Sequence, residues 1–285
     1  MTLRERYNQT VSSLEPLYGP DEARAVVDRL LEDRYDIDRL ERAVAGDAPF
    51  RRGEEWEADL RRLARWEPVQ YVVGRAEFFG RPFEVTRDTL IPRGETEELV
   101  RGILAGPVRR RVLDVGTGSG AIAVTLAAEW GADTCVEAWD VSEGALMVAE
   151  RNAEALGEGE RVRFVRRDVL GGLPPVAEAE KCDLVVSNPP YVLDSERAEM
   201  RANVVRYEPE GALYVPDDDP LRFYRAIARL PLLKPGGELW FEINERFGPQ
   251  MRDLLQGLGY VDVRVMRDLY GRERFVRGRF EQVRR

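Results

Sequence analysis

The sequence predicts an α/β fold, a doubly wound and mostly parallel sheet that follows a small helical domain. Apolar strand patterns alternate with helical patterns from residue 111 onwards, which is typical of a parallel sheet covered on both faces. Helical periodicity dominates residues 1–75, and short aromatic runs broken by glycine follow it. We therefore expect a helical domain at 1–75, a β-hairpin linker at 76–94 and an α/β domain at 95–285.

Two helices of the first domain can be placed from the sequence. One is predicted over residues 21–36, with Asp21 as its N-cap, and the other over residues 53–66. The apolar side chains of the first share one face at i, i+3 and i+4 spacing: Ala23, Val26, Val27, Leu30 and Leu31.

The α/β domain contains six segments whose apolar and β-branched composition predicts strands. They are residues 111–115, 134–139, 161–165, 182–187, 238–243 and 260–266. Helices are predicted at residues 121–130, 142–156, 220–230 and 248–258. In such a sheet, ligands bind at the carboxyl ends of the strands, close to the switch in strand order.

The composition excludes several kinds of catalytic and metal site. The chain has no histidine, which excludes imidazole ligands and any Ser-His or Cys-His nucleophile pair. Its two cysteines, Cys135 and Cys182, lie in predicted strands without C-x-x-C spacing, so we expect buried free thiols and no metal site.

The net charge and the hydropathy of the chain argue against nucleic acid and membrane partners. The formal net charge of −9 argues against a broad phosphate-neutralising surface, so we expect no nucleic acid partner. No apolar stretch approaches the roughly 18 residues of a membrane span, and the N-terminus lacks a signal-peptide pattern. We expect a cytoplasmic protein that does not associate with membranes.

A glycine-rich loop, in the segment LDVGTGSGAIAV, joins the first predicted strand to a helix. Glycines let a ligand approach the main chain, and the helix N-terminus offers unpaired N–H groups. Asp140, twenty residues past Gly120, ends the next strand, where a carboxylate can accept hydrogen bonds from both ribose hydroxyls. The candidate loop residues are Asp114, Gly116, Thr117, Gly118, Ser119 and Gly120.

The loop alone is ambiguous. Gly116, Gly118 and Ala121 also satisfy the dinucleotide fingerprint G-x-G-x-x-G/A, and the glycines could serve only a tight turn. Asp114, two residues before the first glycine, completes D-x-G-x-G-x-G, which favours the loop of S-adenosylmethionine-dependent methyltransferases.

The tetrapeptide Asn188-Pro189-Pro190-Tyr191 follows the fourth predicted strand. Two prolines remove two backbone donors, so the strand ends there with Asn188 at its tip. An amide is a poor nucleophile because its lone pair is delocalised. Asn188 Oδ1 and the Pro189 carbonyl are predicted to accept its N–H hydrogens and to aim the lone pair at a methyl group, while Tyr191 packs on the planar substrate. The alternative is a rigid turn without chemistry.

With both motifs, the sequence resembles class I S-adenosylmethionine-dependent methyltransferases, and more closely the HemK/PrmC family of peptide chain release factor glutamine N5-methyltransferases. The resemblance covers nearly the whole chain and includes RYEPEGAL and DLYGRERFVRGRF, with LIPRGETE as the most discriminating segment. It implies a Rossmann-like, seven-stranded sheet. We also expect the helical domain to recognise the substrate and the enzyme to be a monomer.

The activity that the resemblance implies is methyl transfer from S-adenosylmethionine to the glutamine of the Gly-Gly-Gln (GGQ) loop of release factors, which leaves S-adenosylhomocysteine. Residues 114–120 and Asp140 would hold the cofactor, beside Asn188. Asp168 or Val169 would lie beside the adenine, although some members carry an aromatic residue where Val169 stands. Residues 188–191 would clamp the glutamine. The entrance would be lined by Arg93, Glu95 and Thr96.

Three alternatives remain open from the sequence. A nucleic acid amino-methyltransferase faces the same lone-pair problem, but the acidic net charge and the lack of a long duplex-reading insertion weigh against it. A non-catalytic binding module would be expected to have lost Asp140 or the tetrapeptide, and both are intact. An NAD-dependent oxidoreductase would leave the tetrapeptide unexplained.

Overall fold

A computed structural model of the chain describes residues 1–171 and 181–281. The chain divides into two compact units. The first comprises residues 1–75 and 201–207, and the second comprises residues 76–200 and 208–285. No helix in the described residues is long and apolar enough to cross a membrane.

The first unit is helical. Its N-terminal helices are α1 (Leu3–Tyr18), α2 (Pro20–Tyr35), α3 (Arg39–Ala45), α4 (Gly53–Leu63) and α5 (Val69–Val73). They bury an apolar cluster that includes Trp56, whose indole N–H donates to Thr10 Oγ1 at 2.9 Å. This bond satisfies the one polar group of the largest side chain in the cluster.

Two expectations for these helices were wrong in detail. Helix α2 begins at Pro20, so Asp21 lies in the first turn and is not the N-cap. The reason is that proline fixes the φ of the first helical position, and the N-cap position falls on Gly19. The helix predicted to reach residue 66 ends at Leu63, and Trp66 has a φ of +70°, which a helix does not allow.

The strands β1 (Arg75–Phe78), whose first residue is counted with the first unit, and β2 (Arg81–Glu84) form a two-stranded sheet. The remaining strands of the second unit are β3 (Arg111–Val115), β4 (Cys135–Asp140), β5 (Val162–Arg166), β6 (Cys182–Ser187), β7 (Val192–Leu193), β8 (Tyr214–Val215), β9 (Leu233–Glu242), β10 (Tyr260–Arg267) and β11 (Glu273–Phe280). The helices are α6 (Gly94–Leu104), α7 (Ala121–Trp130), α8 (Glu143–Ala155), α9 (Ala202–Tyr207, which belongs to the first unit), α10 (Arg222–Ala228) and α11 (Gly248–Gly257).

Seven strands form the central sheet in the order β10-β11-β9-β6-β3-β4-β5. Neighbouring strands pair in parallel from β9 to β5, and β11 pairs antiparallel with β9 and β10. The order reverses between β3 and β6, so their carboxyl ends flank the crevice where such sheets bind ligands. The predicted α/β fold with a doubly wound, mostly parallel sheet is confirmed.

Apolar layers cover both faces of this sheet. Val112 and Leu184 face one layer, together with α6 and α7, while Leu113 and Val185 face the other, together with α10 and α11. The alternation explains why strands buried on both faces show near-continuous apolar runs. Cys182 is buried as predicted, but Cys135 is exposed because it is the first residue of β4, at the edge of the covered region.

Candidate active site

The glycine loop after β3 is held from below by the neighbouring strand. The backbone N–H groups of Gly116 and Thr117 both donate to the Trp139 carbonyl, at 2.8 and 2.9 Å. Gly116 and Gly118 have φ values of +74° and +56°, the left-handed region that glycine enters at little cost. A Cβ on either glycine would meet no described protein atom within 4 Å, so the loop leaves open space above its backbone.

Asp114 lies beneath the loop and is fully buried. Its Oδ2 accepts a hydrogen bond from Thr117 Oγ1 at 2.7 Å. Burial raises the pKa of Asp114 from 3.8 to about 7, because a charged carboxylate is costly to desolvate. Asp114 therefore supports the loop from inside the protein.

Asp140 ends β4 and connects the loop to the next helix. Its Oδ2 accepts from the Gly118 backbone N–H and its Oδ1 accepts from that of Ser142, both at 2.9 Å. Burial raises its pKa, and the backbone hydrogen bonds oppose that shift. A carboxylate has about four acceptor positions, so acceptor capacity remains for a ligand beside the backbone groups of Ser142, Gly118 and Val141.

The tetrapeptide follows β6 directly. Asn188 Nδ2 donates to Thr96 Oγ1 at 3.1 Å, and the Tyr191 hydroxyl donates to Glu242 Oε1 at 2.9 Å. Thr96 in turn donates to Glu242 Oε2 at 2.7 Å. The first residue and the last residue of the tetrapeptide are therefore connected through one carboxylate.

A second carboxylate holds the segment before α6. Glu208 Oε1 accepts from Arg93 Nη2 at 2.5 Å, and Oε2 accepts from the Ile91 backbone N–H at 3.3 Å. The Glu208 side chain is only 1% exposed, whereas the Arg93 side chain is 36% exposed, so the carboxylate is the buried partner of this ion pair. Arg93 is therefore held at the site by a buried acid while part of its side chain remains exposed to solvent.

A cavity of about 290 Å³ opens between the glycine loop and the tetrapeptide. Its wall combines apolar surface with a few polar groups, as in small-molecule sites. Asp114, Gly120 and Tyr191 lie behind the wall, and Glu95 is likewise not on it. The structure brings the other predicted site residues together on this wall: Arg93, Thr96, Gly116, Thr117, Gly118, Ser119, Asp140, Asp168, Val169, Asn188, Pro189 and Pro190.

Two buried acids were missed as individual residues by the sequence analysis. Glu242 closes the strand segment ELWFE, and a charged residue at the end of a buried apolar strand is a signal, because such a group must find partners. Glu208 lies in RYEPEGAL, a segment noted only for its resemblance. Its partner Arg93 is distant in sequence, and no local pattern predicts that ion pair.

The fold and the site define a methyltransferase. Residues 96–211 match the family model described as methyltransferase small domain. A methyltransferase of known structure from Pyrococcus furiosus shares the fold, with a TM-score of 0.52 and 19% identity over 79% of this chain and 99% of that chain.

Sequence relatives specify the family. A release factor glutamine methyltransferase of Bacteroides thetaiotaomicron is 44% identical over 269 residues, which cover 93% of this chain and 95% of the relative. One of Flavobacterium psychrophilum is 35% identical over 98% of this chain and 100% of the relative. The chain belongs to the release factor glutamine methyltransferase family.

Proposed function

We propose that this chain transfers a methyl group from S-adenosylmethionine to the side-chain amide nitrogen of the glutamine in the GGQ motif of peptide chain release factors. The observation that carries the proposal is that Asn188 and Pro189 line the same cavity as the glycine loop. The N–CH₃ bond forms as the S–CH₃ bond of the sulfonium breaks, the nitrogen gives up one N–H proton to solvent, and S-adenosylhomocysteine is the second product.

The residues on the cavity wall fit this cofactor. Open space above Gly116 and Gly118 admits a ligand against the backbone, and Asp140 retains acceptor capacity for a ribose hydroxyl. Asp168 and Val169 follow β5 on the same wall, which suits an adenine. When bound, S-adenosylmethionine supplies an electrophilic methyl group on a sulfonium centre.

The protein's part in the reaction is to position the amide. Asn188 Oδ1 and the Pro189 carbonyl accept hydrogen bonds from the glutamine NH₂ group, which favours a pyramidal nitrogen whose lone pair is free to react. The two prolines keep that carbonyl from moving. Tyr191 supports the tetrapeptide from behind through Glu242 and does not lie on the cavity wall.

The proposal is tested with labelled S-adenosylmethionine and purified release factor, beside a factor in which the GGQ glutamine is replaced by alanine. Asn188→Ala enzyme is the inactive control, and duplex DNA and ribosomal RNA are offered as competing acceptors. We expect label only on the wild-type factor. Label on nucleic acid would favour the amino-methyltransferase alternative, and equal label on both factors would place the methyl group elsewhere on the protein.

A further inference from the structure

A fully buried carboxylate connects three separate elements behind the cavity. Glu242, at the end of β9, accepts from Thr96 on α6 and from Tyr191 after β6, with one oxygen used for each. Burial raises its pKa, while these two hydrogen bonds and the nearby Arg274 guanidinium favour its charged form. Replacement of a buried acid and its partners by well-packed apolar residues is often neutral or stabilising, so stability alone does not account for Glu242 at this position.

The carboxylate determines how the Asn188 amide is oriented. A threonine hydroxyl has one proton, and Thr96 gives it to Glu242 Oε2. Thr96 Oγ1 can then only accept, which it does from Asn188 Nδ2 at 3.1 Å. If the Asn188 amide were flipped, its Oδ1 would face Thr96 Oγ1, which has no proton left to donate. The network therefore selects one of the two amide orientations.

We propose that Thr96 and Glu242 are positioning residues, which fix the Asn188 amide with its oxygen as the acceptor presented to the substrate. The inference rests on the proposed function, because the substrate group that this oxygen receives is the N–H of the glutamine amide. Thr96 lines the cavity, but its hydroxyl is engaged on both sides by protein partners. It acts through Asn188 and does not contact the reacting nitrogen.

The test compares Thr96→Val, which keeps the shape and removes the hydroxyl, with Thr96→Ser, which keeps the hydroxyl. Thr125→Val is the matched control. Thr125 is buried on α7, and its Oγ1 has no hydrogen-bond partner among the described residues. Each variant is assayed for kcat on release factor, for the Kd of S-adenosylmethionine and for thermal unfolding.

We expect Thr96→Val to lower kcat by about 10- to 100-fold, the size of effect that a misplaced reacting group produces. The Kd of S-adenosylmethionine should change less than about threefold, well below the tenfold change of one lost 1.4 kcal/mol interaction. Thr96→Ser should restore kcat, and Thr125→Val should leave it unchanged. Wild-type kcat in Thr96→Val, or equal losses in Thr96→Val and Thr96→Ser, would overturn the inference.

A second readout does not depend on activity. The chain has five asparagines, so the side-chain amides of ¹⁵N-asparagine-labelled protein give few signals, and the Asn188→Asp variant assigns one of them. Protection of the Asn188 amide from hydrogen exchange should be lost in Thr96→Val and retained in Thr96→Ser. Glu242→Met, which removes both acceptor oxygens at similar length, should lose it as well. Equal exchange in all variants would contradict the network, whereas failure of wild-type enzyme to label release factor would contradict the proposed function instead.

Discussion

Asp140 is a residue whose carboxylate does two things at once. It holds the Gly118 and Ser142 backbones, and in the proposed function it also binds the ribose. Asp140→Asn should turn one acceptor into a donor that faces a backbone N–H. We expect the Kd of S-adenosylmethionine to rise about tenfold or more, since hydrogen bonds to charged groups contribute about 1.5–3 kcal/mol. Calorimetric titration measures this, and an unchanged Kd would rule out the ribose assignment.

The control for this variant is Asp133→Asn, at an exposed position before β4. It makes the same chemical change where no ligand is proposed. Its Kd should equal that of the wild type. A similar rise in both variants would indicate a general effect of lost negative charge.

Asp114 makes stability depend on pH. Its pKa rises from 3.8 to about 7 on folding, so the folded protein binds a proton that the unfolded chain has already released. This contribution to stability is complete below about pH 4 and is lost as the pH rises through about 7. The Asp114 contribution to the free energy of unfolding, measured by urea denaturation, should therefore decline from about pH 4 to about pH 7. Asp114→Asn should remove that part of the decline, and identical pH profiles would contradict the assignment.

Within the glycine loop, Gly118 faces open space that is available to a ligand, whereas Gly120 packs closely against neighbouring side chains. A Cβ at Gly120 would lie 3.1 Å from Ala149 Cβ and 3.3 Å from Val124 Cγ2, whereas one at Gly118 would meet nothing within 4 Å in the described residues. Gly120→Ala should therefore cost about 1–3 kcal/mol of stability through overpacking, in addition to the backbone strain that its φ of +81° imposes. Gly118→Ala should cost about 1–2 kcal/mol of backbone strain, and its larger effect should be on S-adenosylmethionine affinity. Thermal unfolding measures the stability and calorimetry measures the affinity. A larger loss of affinity in Gly120→Ala than in Gly118→Ala, with the smaller loss of stability, would contradict this expectation.

The accuracy with which each strand could be predicted depends on whether local composition or long-range pairing determines it. The strands β3 and β6 were predicted with their observed bounds, because both are buried on two faces and end at glycine or proline. The strand β11 was not among the segments predicted from composition, since ERFVRGRF carries three arginines and a glycine. It forms because β9 and β10 pair on either side of it. Local composition does not encode such long-range pairing.

The site residues also fall into two groups, those in contiguous motifs and those that depend on long-range contacts. The glycine loop and the tetrapeptide are contiguous motifs, and the sequence identified them with the chemistry that they suit. The carboxylates of Glu208 and Glu242 act on residues more than a hundred positions away. Their partners become evident only when α6, β6 and β9 are brought together.

For the whole molecule, we propose that the helical unit recognises the folded release factor. Removal of residues 1–75 should then lower kcat/KM on intact factor more than on a short GGQ peptide, which needs only the cavity. Residues 201–207 also belong to this unit, where Arg201 pairs with Glu22 and the Tyr207 hydroxyl donates to the Arg65 carbonyl. Thermal unfolding of the truncated chain is therefore the necessary control. Equal losses on both substrates in a folded truncation would contradict the proposal.

The position of the transferred methyl group tests the central claim most directly. Release factor incubated with the full chain and S-adenosylmethionine is digested, and the GGQ-containing fragment is sequenced by tandem mass spectrometry. We predict one added methyl group on the side-chain amide nitrogen of that glutamine, absent when Asn188→Ala enzyme is used. A methyl group on another residue, or an unmodified glutamine after full turnover, would contradict the account.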